Sequence, residues 1–186
     1  MKVGEKLQRN INGEEEFEFL KSVLSEDWDD MDIKIYQILR DRGRMTDTEL
    51  AEELDTSITT ARRRRTQLQE KGYLMVLALL VLQKANVVYT DVLVNISLDA
   101  SVKELEEFIQ DAVQNVRIYE VTQYLNKKAM LLRFLDKDLE NMNKSITRFM
   151  LERDIVKDYE ILPAAISPKA WNRILENQPH KLCNDE

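Results

Sequence analysis

Hydrophobic residues in the N-terminal half recur every three or four positions, which is the period of a helix that packs by one face. In "DDMDIKIYQILRDRG" the apolar positions are Met31, Ile35, Ile38 and Leu39. The segment closes with Gly43, a candidate helix stop. In the next segment, "MTDTELAEELD", the apolar positions are Leu50, Ala51 and Leu54. These two patterns predict two consecutive short helices.

A third helix is predicted over residues 57–71, because Ser57 is a preferred N-cap residue and Gly72 suits a helix end. The second helix carries a start signal as well, since Thr46 and Glu49 have the spacing of a capping box. Three short helices in this order predict a helix-turn-helix.

The third helix contains four consecutive arginines, and a rotation of about 100° per residue divides them between two faces. Ala61 and Leu68 mark the buried face, with Arg64 and Arg65 beside it. The solvent face contains Thr59, Arg62, Arg63 and Thr66. We expect Arg64 and Arg65 to cover apolar surface with their stems. Their guanidinium groups would reach phosphates or the acids Glu49, Glu52 or Glu53 of the preceding helix.

Charge is distributed unevenly along this chain, whose formal net charge is -7. Residues 57–72 contain five basic residues and one acid, whereas residues 1–32 contain four basic residues and ten acids. An acidic total argues against a polyanionic partner, but the local field governs encounter. The arginine run is either a solvated face laced with ion pairs or a DNA-contacting face. Its position on the third helix favours DNA.

The C-terminal half twice repeats a strand, helix and strand pattern. The predicted strands are "YTDVLVNIS", "VRIYEVT", "KAMLLRFL" and "IVKDYEILP". The first predicted helix presents Val102, Leu105, Ile109 and Val113, and the second presents Leu139, Met142, Ile146, Phe149 and Met150. This order predicts a ferredoxin-like βαββαβ domain with both helices on one face of an antiparallel sheet. The other face would expose apolar surface, so we expect a homodimer.

The segment "ELAEELDTSITTARRRRTQLQEKGYL", residues 49–74, resembles without a gap the helix-turn-helix of the Lrp/AsnC family, the leucine-responsive and asparagine-synthesis regulators. The resemblance implies an α+β protein with a (winged) helix-turn-helix DNA-binding domain and a ferredoxin-like dimerisation and effector domain. It also implies a sequence-specific transcription regulator that binds double-stranded DNA. The matching DNA-facing positions are Ser57, Thr59, Thr60, Arg62 and Arg63. The solvent face adds Thr66, and Arg64 is added because its guanidinium could reach phosphate from beside the buried face.

Two residues depart from the family pattern. Asp55 stands where the family's turn usually has Gly, which predicts a strained turn or a left-handed backbone at Asp55. Arg65 stands where the recognition helix usually buries an aliphatic residue. Both departures favour, to a small degree, an adaptor of the same fold that binds protein or ligand without binding DNA.

The resemblance further implies a dimer or higher oligomer with a small-molecule effector. The family's ligand loop usually carries Gly and an acid, whereas this loop reads "TQYLNKKA". Candidate effector residues are Thr122, Lys127 and Lys128, which suit an anionic ligand. The alternative is that the two lysines only solvate a hairpin.

The predicted organisation has five segments. They are an acidic N-terminal extension with an amphipathic helix (1–29), the helix-turn-helix domain (30–74), a hinge strand or linker (75–88), the ferredoxin-like domain (89–163), and a C-terminal helix near Trp171 with a tail (164–186). The hinge sequence "YLMVLALLVL" is interpreted either as an ordinary buried strand, which we favour, or as a strand buried by a partner protomer.

The N-terminal extension places Phe17, Leu20 and Leu24 on one side of its helix. That side would cover the DNA-binding unit or a partner. A sharper hypothesis is that its acids compete with DNA for the arginines of the third helix.

Motifs for catalysis are absent from the sequence, so we expect neither an enzyme nor a cofactor. His180 and Cys183 supply two ligands where a zinc site needs four. A resemblance in fold to sirohaem decarboxylases leaves an enzyme as an alternative, although those proteins rely on histidines and arginines in the second domain. A single cysteine and no apolar run of about 20 residues predict a cytoplasmic protein without a membrane span.

Overall fold

The computed structural model describes residues 13–125, 129–151, 153–170 and 173–175, and the chain divides into two compact units between Leu79 and Leu80. The described helices of the first unit are α1 (Gly13–Val23), α2 (Asp30–Asp41), α3 (Asp47–Glu53) and α4 (Ile58–Glu70). The second unit runs in the order β1 (Val88–Ile96), α5 (Val102–Gln114), β2 (Ile118–Gln123), β3 (Ala129–Asp136), α6 (Leu139–Leu151) and β4 (Val156–Pro163).

Side-chain caps begin α2, α3 and α4. The capping box at α3 is confirmed, because the Glu49 backbone N–H donates to Thr46 Oγ1 at 3.2 Å and the Glu49 carboxylate accepts from the Thr46 backbone. Asp29 and Asp32 form a second capping box at the start of α2. Each box satisfies backbone donors that the first helical turn leaves without partners.

The core of the first unit lies between α2, α3 and α4. Its buried side chains include Ile35, Leu39, Leu50, Ala51, Ala61 and Leu68, which confirms the predicted apolar stripes. Trp28 stacks on Tyr73 with 5.8 Å between ring centroids, so an aromatic pair joins the segment before α2 to the segment after α4. The turn before α4 has Asp55 at a φ of 49°, the predicted left-handed conformation.

The N-terminal helix α1 packs against α2. Phe17, Leu20 and Leu24 are half-buried, as the amphipathic pattern predicted. The sequence did not predict that Glu16 is buried too, where its carboxylate pairs with Arg40 of α2 and accepts from Gln37 Nε2 at 3.1 Å. The structure therefore pairs Glu16 with α2, whereas the competition hypothesis placed the acids of α1 against α4.

The second unit is a four-stranded antiparallel sheet in the order β2-β3-β1-β4, which confirms the βαββαβ prediction. On the central strand, Val92 lies opposite Leu132 of β3 and Ile161 of β4. The helices α5 and α6 cover this face, with Phe108 and Phe149 separated by 5.5 Å between ring centroids.

Both helices of the second unit differ from prediction in which residues they bury. Val102 and Val113 of α5 are 72% and 61% exposed, and Leu139 of α6 is 38% exposed. The face of α5 that packs on the sheet consists of Leu105, Phe108, Ile109 and Ala112. Phe108 is the largest apolar side chain of the helix, so the buried face centres near it and leaves the two valines at the edge.

The predicted ordinary buried strand at the hinge is wrong. Residues 74–81 form no strand, and Met75, Leu77 and Leu80 are 74%, 70% and 64% exposed. An apolar run indicates burial but does not by itself supply the neighbouring strand that a sheet requires. Val76 packs so closely on Gly43 that a Cβ there would lie 2.9 Å from Val76 Cγ1.

The C-terminal segment contains two short paired strands in place of the helix predicted near Trp171. They are β5 (Lys169–Ala170) and β6 (Arg173–Ile174), and Trp171 lies outside the described residues. Pro168 has no backbone donor, but its carbonyl accepts from the Leu175 backbone N–H at 2.8 Å and closes this hairpin.

Candidate nucleic-acid interface

The exposed face of α4 is formed by the residues that the helical period placed there. Thr59, Arg62, Arg63 and Thr66 are exposed, whereas Ala61 and Leu68 are 0% and 3% exposed. Ser57 caps the helix and accepts from the Thr60 backbone N–H at 3.1 Å. The Ser57 and Thr60 hydroxyls lie 2.9 Å apart, so one donates to the other at the start of the helix.

Asp47, the first residue of α3, contacts two arginines of α4. Arg62 Nε donates to Asp47 Oδ2 at 2.9 Å, and Arg65 Nη2 lies 2.8 Å from Asp47 Oδ1 without the alignment of a hydrogen bond. The Asp47 side chain is 11% exposed, the Arg65 side chain 27% and the Arg62 side chain 72%. Each carboxylate oxygen therefore faces one arginine, and only Arg62 extends well into solvent.

Arg64 pairs with the two acids that cap α2. Its Nη2 lies 2.5 Å from Asp29 Oδ2, and its Nη1 lies 3.3 Å from Asp32 Oδ2. Burial raises the pKa of Asp32, while the hydrogen bond from the Asp29 backbone and the charge of Arg64 act in the opposite direction. Arg64 is thus engaged in holding α4 to the start of α2.

The prediction that Arg64 and Arg65 flank the core is confirmed. Arg65 meets an acid of the preceding helix, as expected, but this acid is Asp47 rather than one of the glutamates of α3. Arg64 pairs instead with Asp29 and Asp32 at the start of α2. Asp29 and Asp32 precede Arg64 by more than 30 positions, so no helical period relates them. The sequence signal that remains is that each of the three aspartates stands in the first turn or cap of a helix.

Arg63 differs from the other three arginines. Its Nη1 donates to Gln67 Oε1 at 3.3 Å, and within the described part of the chain no carboxylate lies at ion-pair distance from it. The positive charge of the run is therefore least compensated at Arg63. Since a nearby carboxylate weakens the attraction of a guanidinium for an anion, Arg63 presents the strongest local attraction for a polyanion.

The candidate effector residues are only partly described. Thr122 lies on β2, where its hydroxyl donates to Glu120 Oε1 at 3.4 Å, while Lys127 and Lys128 lie outside the described residues. A separate cavity of about 370 Å³ is lined by Asn115, Arg117, Lys144, Ser145, Arg148 and Phe149. Its Arg117 meets Asp136 at 3.3 Å and its Lys144 meets Glu140 at 2.5 Å, so carboxylates already neutralise these two cations.

The sheet face opposite the helices, which we call the open face, mixes leucines with charged side chains. Its residues are Asp91, Leu93, Glu120, Leu131, Arg133, Leu135, Glu160 and Leu162. Arg133 donates to Asp91 at 2.9 Å and to Glu120 at 2.8 Å. Burial raises the pKa of the neighbouring Tyr119 to about 12. The open face therefore has a charged centre beside half-exposed leucines.

The chain is similar in sequence to a DNA-binding family and to a transcriptional regulator. Residues 29–75 match a family model described as winged helix-turn-helix DNA-binding. An uncharacterised HTH-type transcriptional regulator of Pyrococcus horikoshii, PH1055, is 28% identical over 138 residues, which are 74% of this chain and 87% of that protein. The matched region includes α2, α3 and α4, so the described helices with the arginine run belong to a DNA-binding domain.

Solved structures match across both units. An AsnC family regulator from Agrobacterium tumefaciens superposes with a TM-score of 0.69 at 21% identity, covering 80% of this chain and 97% of that protein. The chain has the fold of the Lrp/AsnC regulators. Escherichia coli AsnC, with a TM-score of 0.64 at 15% identity over 77% of this chain and 95% of that protein, has the same fold. So does the Neisseria meningitidis regulator NMB0573, solved with L-Met, with a TM-score of 0.68 at 24% identity over 77% and 93%.

No helix among the described residues is long and apolar enough to cross a bilayer. In the same part of the chain, no group of three or more His, Cys, Asp or Glu residues is placed to hold a metal ion.

Proposed function

We propose that this protein is a cytoplasmic, sequence-specific, dimeric regulator of transcription whose helix α4 enters the major groove of DNA. The observation that carries the proposal is the exposed face of α4, where Thr59, Arg62, Arg63 and Thr66 lie opposite the buried Ala61 and Leu68. A recognition helix needs a buried side that fixes it to its domain and an exposed side that carries hydrogen-bond donors. The family match over residues 29–75 supports the same role.

The side chains of this face suit two kinds of contact. Arg62 and Arg63 can each donate two hydrogen bonds to guanine O6 and N7, which is the commonest specific contact in the major groove. The hydroxyls of Thr59 and Thr66 can bond to either base edges or phosphates. Ser57 and Thr60, at the N-terminal end of α4, would contact the phosphate backbone of DNA, since helix N-termini favour phosphate. Arg64, which is paired with Asp29 and Asp32, would contribute at most a supporting contact to phosphate.

The test is fluorescence anisotropy with a duplex selected by the protein from a random pool, compared with an unselected duplex at two salt concentrations. We define the selectivity ratio as the affinity for the selected duplex divided by that for the unselected one. The test variant is Arg62→Ala with Arg63→Ala. The matched control is Lys103→Ala with Lys137→Ala, which removes two positive charges from exposed positions of the second unit.

The proposal expects a high selectivity ratio in the wild type and in the lysine control, and its loss in the arginine variant. Affinity should fall with rising salt by about 0.9 log units per log unit of salt for each phosphate contacted. Equal binding to both duplexes would leave a non-specific DNA-binding protein. Absence of binding at low salt would support the adaptor alternative.

Dimerisation is the second part of the proposal, and the open face supports it. Leu93, Leu131 and Leu135 are half-exposed there and Leu162 is 44% exposed, so one protomer leaves apolar surface in contact with water. A two-fold interface through this face would bury these leucines and would give the dimer two copies of α4, which could bind successive turns of DNA.

The oligomeric state can be measured by sedimentation equilibrium. Leu131→Glu places a charge on the open face and should shift the protein toward monomer. Leu98→Glu is the matched control, because Leu98 is 83% exposed in the loop after β1. Equal self-association of both variants would exclude the open face as the interface.

An effector site at Thr122, Lys127 and Lys128 is the third part of the proposal. Support comes from the Neisseria protein of the same fold, which was solved with L-Met. Calorimetric titration with amino acids and with anionic metabolites would test it, using Lys127→Ala with Lys128→Ala as the variant. Binding that persists in the variant would place the effector elsewhere.

A further inference from the structure

Arg62 and Arg65 share the carboxylate of Asp47. Contact of an exposed arginine with DNA does not by itself require such a carboxylate. Arg65 approaches Asp47 Oδ1 from the side of the core, where its own Nη1 also donates to the Met45 carbonyl at 3.4 Å. Arg62 donates through Nε to the other oxygen of the same carboxylate. One largely buried carboxylate thus lies between an arginine that is held in place and an arginine that reaches solvent.

The atom by which Arg62 is held decides what the rest of the side chain can do. A guanidinium bonded through Nε is fixed at its inner edge, and the two Nη groups at its outer end stay available for other acceptors. Within the described residues neither Nη of Arg62 donates to the protein. Two parallel donors at the end of an oriented, planar group match the O6 and N7 acceptors of guanine.

We propose that Asp47 is a positioning residue that orients Arg62 for an end-on, two-bond contact with a guanine, and that Arg65 holds Asp47 in place. This inference rests on the proposed function and adds a specificity determinant to it. The physical reason is conformational entropy, because a long arginine side chain loses rotamer freedom when it binds, and a preorganised one has less to lose. The arrangement also gives a role to Arg65 at a position where an aliphatic residue is usual.

The competing interpretation is that Asp47 merely competes with DNA for Arg62. The two interpretations predict opposite changes in selectivity. A competitor weakens binding to every sequence alike, so its removal strengthens both affinities and leaves the selectivity ratio unchanged. A positioning carboxylate acts only where a base is read, so its removal lowers the ratio while affinity for the unselected duplex stays the same or rises.

The experiment measures the selectivity ratio of the full-length protein for Asp47→Asn, Arg62→Ala and the double variant. We expect Asp47→Asn to lower the ratio roughly tenfold, within the range of one two-bond arginine contact. In the Arg62→Ala background the same change should have no effect. A ratio in Asp47→Asn equal to that of the wild type, or a loss that persists without Arg62, would overturn the proposal.

A second variant separates positioning from charge and from loss of fold. Asp47→Glu keeps the charge but moves the carboxylate by one methylene, so positioning predicts a lower ratio and competition predicts no change. Single-base replacement in the selected duplex should then show the same guanine position losing its preference in Asp47→Asn and in Arg62→Ala. If the wild type itself shows no selectivity, the proposed function fails. If the wild type is selective and Asp47→Asn and Asp47→Glu keep its selectivity ratio, the positioning role fails and the proposed function stands.

Discussion

Replacing Arg64 with alanine should destabilise the first unit, although Arg64 stands in the same exposed-looking run as Arg63. Arg64 bridges Asp29 and Asp32, and the Asp32 side chain is only 6% exposed. Removing one partner of a fully buried ion pair costs about 3 to 5 kcal/mol, because the remaining charge is left without compensation. Arg64 and Asp29 are 29% and 47% exposed, so with solvent screening we expect about 2 to 3 kcal/mol.

The loss should depend on pH. Burial already raises the pKa of Asp32, and Arg64 opposes that rise, so Arg64→Ala raises the pKa further in the folded state alone. The folded variant then takes up a proton at a higher pH than the unfolded chain does. The loss in free energy of unfolding is therefore largest near neutral pH and shrinks as the pH falls toward the ordinary aspartate pKa of about 3.9.

Urea unfolding at about pH 7 and about pH 5, followed by Trp28 fluorescence, would measure both effects. A Trp171→Phe background leaves Trp28 as the single tryptophan, and Trp28 lies in the first unit against Tyr73. Arg63→Ala is the matched control, since it removes the same charge and no carboxylate contact. The reasoning is refuted if the two variants are equally stable, or if Asp32→Asn restores none of the stability lost in Arg64→Ala.

Three further outcomes can be measured independently. Glu49→Gln should make the stability of the first unit less dependent on pH in the acid range. Hydrogen bonds from Thr46 lower the pKa of Glu49, and the stability that such a group contributes is lost as pH falls through its folded pKa. Urea titrations at several pH values measure this, and the same pH dependence in variant and wild type would contradict it. Phe134→Ala should cost about 3 to 5 kcal/mol in calorimetry of the second unit, since Phe134 is 0% exposed, and a cost near zero would mean that the core collapses around the site. Deleting residues 1–26 should lower the melting temperature, because Arg40 loses the buried carboxylate of Glu16. The affinity for DNA at fixed salt should stay nearly unchanged. Tighter DNA binding would instead support the competition hypothesis.

Local signals in the sequence were sufficient for the elements that carry the interface. The caps at Thr46 and Ser57 start α3 and α4 where predicted, and Gly72, with a φ of 71°, follows α4. Caps and helical period act over one or two turns, so a linear reading contains all the information they need. The division of the arginine run into an exposed pair and a flanking pair depends on the same period.

Contacts between distant segments could not be read in this way. The apolar hinge sequence predicted a strand, yet Met75 and Leu77 are exposed. An apolar run does not supply the neighbouring strand with which a strand must pair. The buried Glu16 stood in an acidic stretch that the charge pattern marks as solvated. Val102 and Leu139 have the right period but lie at the edges of their helices, where the packing of larger neighbours decides burial.

The sequence by itself determined that the first unit is a helix-turn-helix with a basic third helix, and that the second is a βαββαβ domain. Periodicity and capping are properties of neighbouring residues, and the chain order of elements limits how they can pack. Only the tertiary structure decided what each arginine contacts. Asp47 and Asp32 come from separate helices, and their approach to Arg62 and Arg64 follows from the angle at which three small helices pack. Identical residues in one run thereby acquire different partners and different burial.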